Sequence, residues 1–231
     1  MRPIYTYNGM NRKLITFGVL LFTTFILAAD DWPLFRGNRG LTGIASSKLP
    51  EKLSLLWKFD AKGPVKASAV IGEGMVFVGG DDNAKRGIKG KLYAINLNNG
   101  KKAWEFTCSD PIEGPAMYMD GRVFVGSIDG FLYALDAKTG KEIWKFETGD
   151  QIIGGPNWTK SSDGKNTYVI VGSHDFFLYC LNMKTGEKIW EYESENYING
   201  SPALTNGKTM FGGCDALLHV IDIGKGKKEK K

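Results

Sequence analysis

The stretch DAKTGKEIW, Asp136–Trp144, decides how this chain is read. Forty-six residues later the chain reads NMKTGEKIW, Asn182–Trp190, and forty residues earlier NLNNGKKAW, Asn96–Trp104. A sentence rewritten at such a spacing marks a repeated structural unit. With Trp57 included, the tryptophans at this register are 47, 40 and 46 residues apart. The cleanest full unit is PAMYMDGRVFVGSIDGFLYALDAKTGKEIWKF, Pro115–Phe146. It contains four short apolar segments, AMYM, RVFVGS, FLYALD and KEIWKF, separated by turn signals. Alternating apolar residues bounded by Asp-Gly and Thr-Gly mark strands joined by hairpins. We label the four segments A to D.

The departures from a constant period fall in connections. Val78 to Tyr93 is longer than Val125 to Tyr133 because of DDNAKRGIKG, Asp81–Gly90. The longer third unit is assigned an insertion in its A–B connection, NWTKSSDGKN, Asn157–Asn166. Four strands per repeat and a period near forty predict an all-β chain, a β-propeller of four-stranded antiparallel blades with four repeats.

Each recurring residue has a physical reason. Gly100, Gly140 and Gly186 lie in the C–D turn, where glycine supplies positive φ without steric cost. Ala94, Ala134 and Cys180 are small and leave room for a large neighbour. Trp104, Trp144 and Trp190 supply broad apolar bodies that pack between blades. A tryptophan-lined ligand cage is the alternative, but a fixed register in every unit is the behaviour of packing residues. Trp57 lies in LSLLWKF, Leu53–Phe59, which matches strand D with no A–C before it. The last unit, Ser201–Asp222, has A–C and no D, so in a closed ring Trp57 would mark the ring-closing strand. Left open, the two ends would expose apolar faces, and pairing of two half-rings into a homodimer would cover them.

The net charge of +5 is concentrated at the ends. Residues 1–29 carry Arg2, Arg12 and Lys13 with no acid, and residues 225–231 carry five Lys and one Glu. The body is therefore slightly acidic and offers no basic face for nucleic acid. The Lys-rich end reads as a solvated tail. Residues 12–29, RKLITFGVLLFTTFILAA, have the form of a secretory signal, with a mature start near Asp30. Cleavage would leave no membrane span and place the protein in the periplasm or outside the cell; an uncleaved anchor is the alternative. The body, residues 30–224, holds the repeats. Three cysteines, Cys108, Cys180 and Cys214, are spaced apart and form no C-x-x-C motif.

ALDAKTGKEIW and AINLNNGKKAW resemble the tryptophan-docking repeat of PQQ-like β-propellers, the quinoprotein dehydrogenase-like group. The match runs through Ala94, Gly100 and Trp104, then Ala134, Gly140 and Trp144, then Cys180, Gly186 and Trp190. In the fourth unit Val220 and Gly226 stand at the first two positions, and Lys230 stands where Trp belongs. DWPLFRG, Asp31–Gly37, is similar to the opening of exported bacterial proteins of this type. The resemblance implies rings of seven or eight blades, so four repeats imply a partial ring. Dehydrogenases of the group carry adjacent cysteines beside the quinone, acidic and amide ligands for Ca²⁺, and a catalytic Asp. This chain has no adjacent cysteines. Asp129, Asp175 and Asp215 share one turn register, which is a turn-forming role. His174 lies in a B–C turn, and His219 replaces the strand C tyrosine. The reading is a non-enzymatic exported propeller with no catalytic, cofactor or metal residues, binding a protein or cell-envelope component as assembly factors of the BamB type do. The alternative is a PQQ- and Ca²⁺-dependent dehydrogenase or a piece of one.

Overall fold

A computed structural model describes residues 31–223. The leader and the Lys-rich tail lie outside the described residues. Fifteen strands form four antiparallel sheets in chain order, and no helix occurs among the described residues. Blade 1 is β1 (Val70–Gly72), β2 (Met75–Asp81), β3 (Gly90–Asn96) and β4 (Lys102–Cys108). Blade 2 is β5 (Met117–Met119), β6 (Arg122–Gly126), β7 (Phe131–Asp136) and β8 (Glu142–Glu147). Blade 3 is β9 (Asn157–Lys160), β10 (Thr167–Gly172), β11 (Phe177–Asn182) and β12 (Lys188–Glu193). The last sheet has three strands, β13 (Ala203–Thr205), β14 (Lys208–Gly212) and β15 (Leu218–Asp222). Within each sheet every strand pairs with its sequence neighbours, as hairpin-linked blades require. First strands meet one another, β1 against β5 and β9 against β13, so the first-strand edges converge on one side.

The third blade differs from expectation in one place. Asn157–Lys160, assigned to a connection, is strand β9 itself, and Lys160 pairs with Thr167. The added residues lengthen the A–B hairpin before the chain turns at Ser161–Asn166, where the Ser161 Oγ accepts from Asn166 N at 2.9 Å.

The core lies between blades. Phe77, Leu92 and Ala94 of blade 1 face Val123, Val125, Tyr133 and Leu135 of blade 2 in one buried cluster, with Trp104 and Phe106 at its edge. Trp104 docks on the following blade: its Nε1 donates to the Ala137 carbonyl at 3.0 Å. Trp144 does the same to Met183 at 3.1 Å, and Trp57 to Leu97 at 2.8 Å. Each indole lies on the C–D turn glycine of the blade it docks on. A Cβ on Gly140, whose φ is +71°, would lie 2.6 Å from the Trp104 ring. Gly186 and Gly100 are covered in the same way by Trp144 and Trp57. Within its own blade the docking tryptophan opposes the small residue: Ala94 pairs with Trp104, Ala134 with Trp144, and Cys180 with Trp190. The ladder shifts register immediately after that pair in all three blades. A bulge there re-aims the indole toward the next blade.

Trp57 does not close the ring. The outer edge of β15 carries no paired strand among the described residues, and Leu53–Phe59 belongs to no sheet. The segment sits where a fourth strand of a preceding blade would sit. Trp57 and Phe59 cover Val76, Val78, Tyr93 and Ile95, with Phe59 edge-on to Tyr93 at 5.2 Å. Without a neighbouring strand its backbone has nothing to ladder with, so docking by side chains replaces pairing.

A strap formed by residues 32–43 joins the first strands. Trp32 exchanges two backbone hydrogen bonds with Ile71 of β1. The Pro33 carbonyl accepts from Tyr118 N of β5 at 2.6 Å. The Arg39 carbonyl accepts from Leu204 N of β13 at 2.7 Å and from the Asn157 side chain of β9 at 2.9 Å. Leu34 is buried among Met117, Phe124 and Met183. One short segment thereby touches all four blades.

Candidate functional site

Loops following strand D and strand B meet at one end of the blades. The sequence G-S-x-D, Gly126–Asp129 and Gly172–Asp175, builds this end; the last blade has GGCD, Gly212–Asp215. Ser127 Oγ donates to the Asp110 carbonyl of the preceding blade at 2.9 Å, and Ser173 Oγ to Asp150 at 3.0 Å. The Asp then reaches back as well. Asp129 accepts from Ser109 N at 3.1 Å and Asp175 from Gly149 N at 2.6 Å. Each Asp also accepts a strand C hydroxyl, Tyr133 to Asp129 at 2.8 Å and Tyr179 to Asp175 at 2.7 Å. Burial first, then the bond to the Asp, raises both phenol pKa values above the usual tyrosine range. His219 replaces that tyrosine and makes the equivalent 2.7 Å contact through Nε2 to Asp215. These Asp residues therefore tie blades together, beyond closing a turn. The serine that repeats two residues before each Asp is the sequence signal of this link.

At the junction of blades 2, 3 and 4 this end changes character. His174 Nδ1 lies 3.0 Å from the Gln151 amide, and its ring lies over Tyr197 at 4.9 Å between centroids. His174 Nε2 is enclosed and has no hydrogen-bond partner. Phe176 packs edge-on to Tyr197 at 5.3 Å. Cys214 Sγ accepts from Asn199 Nδ2 at 3.2 Å beside them. Phe176 is 37% exposed and Tyr197 44% exposed. Phe176 adopts φ +78°, where blade 2 has Gly130 at +83°. A bulky residue in that region is strained by roughly 1–2 kcal/mol. The result is an exposed aromatic ledge of Phe176, Tyr197 and His174, rimmed by Gln151, Asn199 and Cys214. Among the described residues no three His, Cys, Asp or Glu side chains converge as metal ligands would. A polar cleft of about 330 Å³ lies elsewhere, between the strap and β9 and β13; Arg39 is its single charged residue.

The cysteines divide by environment. Burial pushes the Cys108 thiol up to about 11 and the Cys180 thiol up to about 12, while Cys214 is exposed. A thiol that burial holds neutral offers little of the reactive thiolate. Labelling the folded protein at pH 8 is therefore expected to modify Cys214 alone, with the other two reacting only in denaturant. Mass spectrometry of the labelled protein checks this; prompt labelling of Cys180 would contradict the buried position opposite Trp190.

The comparisons with known proteins agree with this geometry. The family profile described as outer membrane protein assembly factor BamB matches residues 51–157, just under half of the chain. A profile described as the lambda-carrageenase beta-propeller domain matches residues 118–211. The structure superimposes on BamB from Moraxella catarrhalis with a TM-score of 0.62 at 20% identity, covering 75% of this chain and 51% of that one. The fold is that of a β-propeller, and residues 51–157 are similar to the PQQ-like repeats of the BamB type. The quinohemoprotein alcohol dehydrogenase from Comamonas testosteroni also superimposes, with a TM-score of 0.68 at 20% identity, covering 86% of this chain and 40% of that one. The whole of the computationally designed Ika4 protein superimposes on 75% of this propeller, with a TM-score of 0.58 at 17% identity. The propeller described here thus spans about half the length of the Moraxella BamB and two-fifths of the dehydrogenase. An assembly factor and a dehydrogenase both share its fold. No curated protein matches the sequence. No helix among the described residues is long and apolar enough to cross a membrane.

Proposed function

We propose that this propeller is a non-enzymatic, exported binding module that holds a protein or cell-envelope component on the ledge of Phe176, Tyr197 and His174. The carrying observation is Phe176: a bulky residue kept at φ +78°, where glycine would be unstrained, with its ring exposed beside Tyr197. Strain that the fold tolerates at an exposed position points to use. Aromatic side chains with a polar rim are the composition of binding hot spots. The assembly-factor description of the matching profile supports the same reading. The leader RKLITFGVLLFTTFILAA supports a periplasmic or secreted location, with a mature start near Asp30.

Phe176→Gly separates binding from folding. Glycine relieves the strain, so the variant is expected to melt within about 1 kcal/mol of wild type or above it. A photo-crosslinking residue placed at Tyr197, in cells, is expected to yield an adduct that Phe176→Gly abolishes. A lower melting point with the adduct intact would make the ledge structural. Incubation with PQQ and Ca²⁺ followed by dye reduction tests the enzyme alternative. Stoichiometric quinone binding with oxidation of an alcohol or sugar would replace the binding-module reading.

A further inference from the structure

Charge is sorted along the strands of blades 3 and 4. Their lysines, Lys160, Lys165, Lys184, Lys188 and Lys208, all lie in or beside the A–B and C–D turns. The ledge lies at the opposite end, on the loops that follow strands B and D. Residues 147–159, 172–183, 189–207 and 209–223 contain no Lys or Arg. At the ledge end these stretches hold Glu147, Asp150, Asp175, Glu193, Glu195 and Asp215.

The ledge is seated between two of these loops. Loop 149–151 bonds His174 through the Gln151 side chain, and loop 195–197 places Tyr197 against the His174 ring. Each loop presents an exposed carboxylate, Asp150 next to Gln151 and Glu195 two residues before Tyr197. Glu193 adds a third. It pairs with Phe177, and Ser194 beside it donates both N and Oγ to the Phe176 carbonyl. Among the described residues none of these three acids is in an ion pair. Blade 1 differs: Lys66 answers Glu113 there, and Lys91 answers Glu105. In blade 2 Lys145 lies over the Phe131 ring at 4.5 Å, and Arg39 of the strap lies over Trp158 at 4.6 Å. Among the described residues no cation lies over Phe176 or Tyr197.

From this we infer that the partner held on the ledge is a protein segment that carries Lys or Arg on both sides of an apolar side chain. The inference rests on the ledge being the binding face and selects the protein over an anionic envelope component. The apolar side chain packs on Phe176 and Tyr197. The flanking cations reach Asp150 on the blade 2 side and Glu195 on the blade 4 side, and an ammonium or guanidinium can also lie on the Tyr197 face. Covering unpaired carboxylates with a neutral surface costs free energy, whereas an opposite charge offsets that cost. The same field steers a basic segment toward this end and turns away phosphate- or sulfate-bearing surfaces.

The test uses the full chain, expressed with its leader and purified from the host, as bait for a random displayed-peptide library. Peptides are kept if they bind wild type and not Phe176→Gly. They are expected to share Lys or Arg on both sides of an aliphatic or aromatic residue. Asp150→Asn with Glu195→Gln is expected to weaken a synthetic copy of such a peptide about tenfold at low salt, with an unchanged melting point, since both side chains are exposed. Raising the salt is expected to weaken wild type toward the affinity of the double variant. Peptides that need Phe176 yet carry no excess of Lys or Arg would overturn the inference and leave the ledge as the binding face. So would equal affinity for the double variant. Peptides that bind Phe176→Gly as well as wild type would remove the ledge reading and this inference with it. Failure to enrich any peptide, or Phe176-dependent binding to phosphatidylglycerol vesicles, would also overturn it.

Discussion

Trp104→Ala is expected to destabilise the protein by about 3 kcal/mol, the low end for a large aromatic because the indole is only partly buried. For a domain of this size each kcal/mol lowers the melting point by about 2–4 °C. Gly140→Ala is expected to cost at least ~1 kcal/mol, from φ +71° and from a Cβ aimed 2.6 Å from the same indole. The two changes share one contact, so they should not add. Once the indole is removed, Ala at position 140 keeps its backbone strain and loses its clash. A double-mutant cycle by denaturant unfolding measures the difference. Strict additivity would mean that Trp104 is not seated on Gly140. Unchanged stability with a lost ligand would turn the tryptophans from docking residues into a cage.

Leu34→Ala is expected to cost ~2–5 kcal/mol, although Leu34 lies in no strand or repeat. Its side chain is buried between blades 2 and 3, and its neighbours in the strap hold the first strands of all four blades. Leu49→Ala, at a residue 88% exposed in the same stretch of chain, should stay within about 0.5 kcal/mol of wild type. Thermal melts of the pair make the comparison. Equal melting points would show that the strap is an ornament on blades that hold themselves together.

The strands were legible because hairpins are local. Alternation and Asp-Gly or Thr-Gly turns placed β5 to β8 nearly to the residue. The error at Asn157–Lys160 has the same origin: a hairpin that grows by pairing looks, in one dimension, like a loop that grows by insertion. The docking glycines and small residues were legible through repetition. What was not legible has no repeat partner. WPLFRGNRGL occurs once, and its seats on Ile71, Tyr118, Asn157 and Leu204 are set by the assembled blades. The ledge lies between these cases. Phe176 stands where blade 2 has Gly130, so its departure from the repeat was visible. Its meaning depends on Tyr197 and His174, brought beside it by blade packing.

Nearly every contact in this fold joins residues within one blade or between adjacent blades, about forty positions apart. Such an array can grow in order, each indole seating when the next C–D turn has formed. The strap breaks that locality. Arg39 bonds to Asn157 and Leu204, across more than a hundred residues of chain. It cannot reach those partners until the last blade exists, and closing so long a loop is an entropic cost that local hairpins avoid. The segment made before all the blades is thus the last to settle, and its docking converts a row of semi-independent sheets into one cooperative unit.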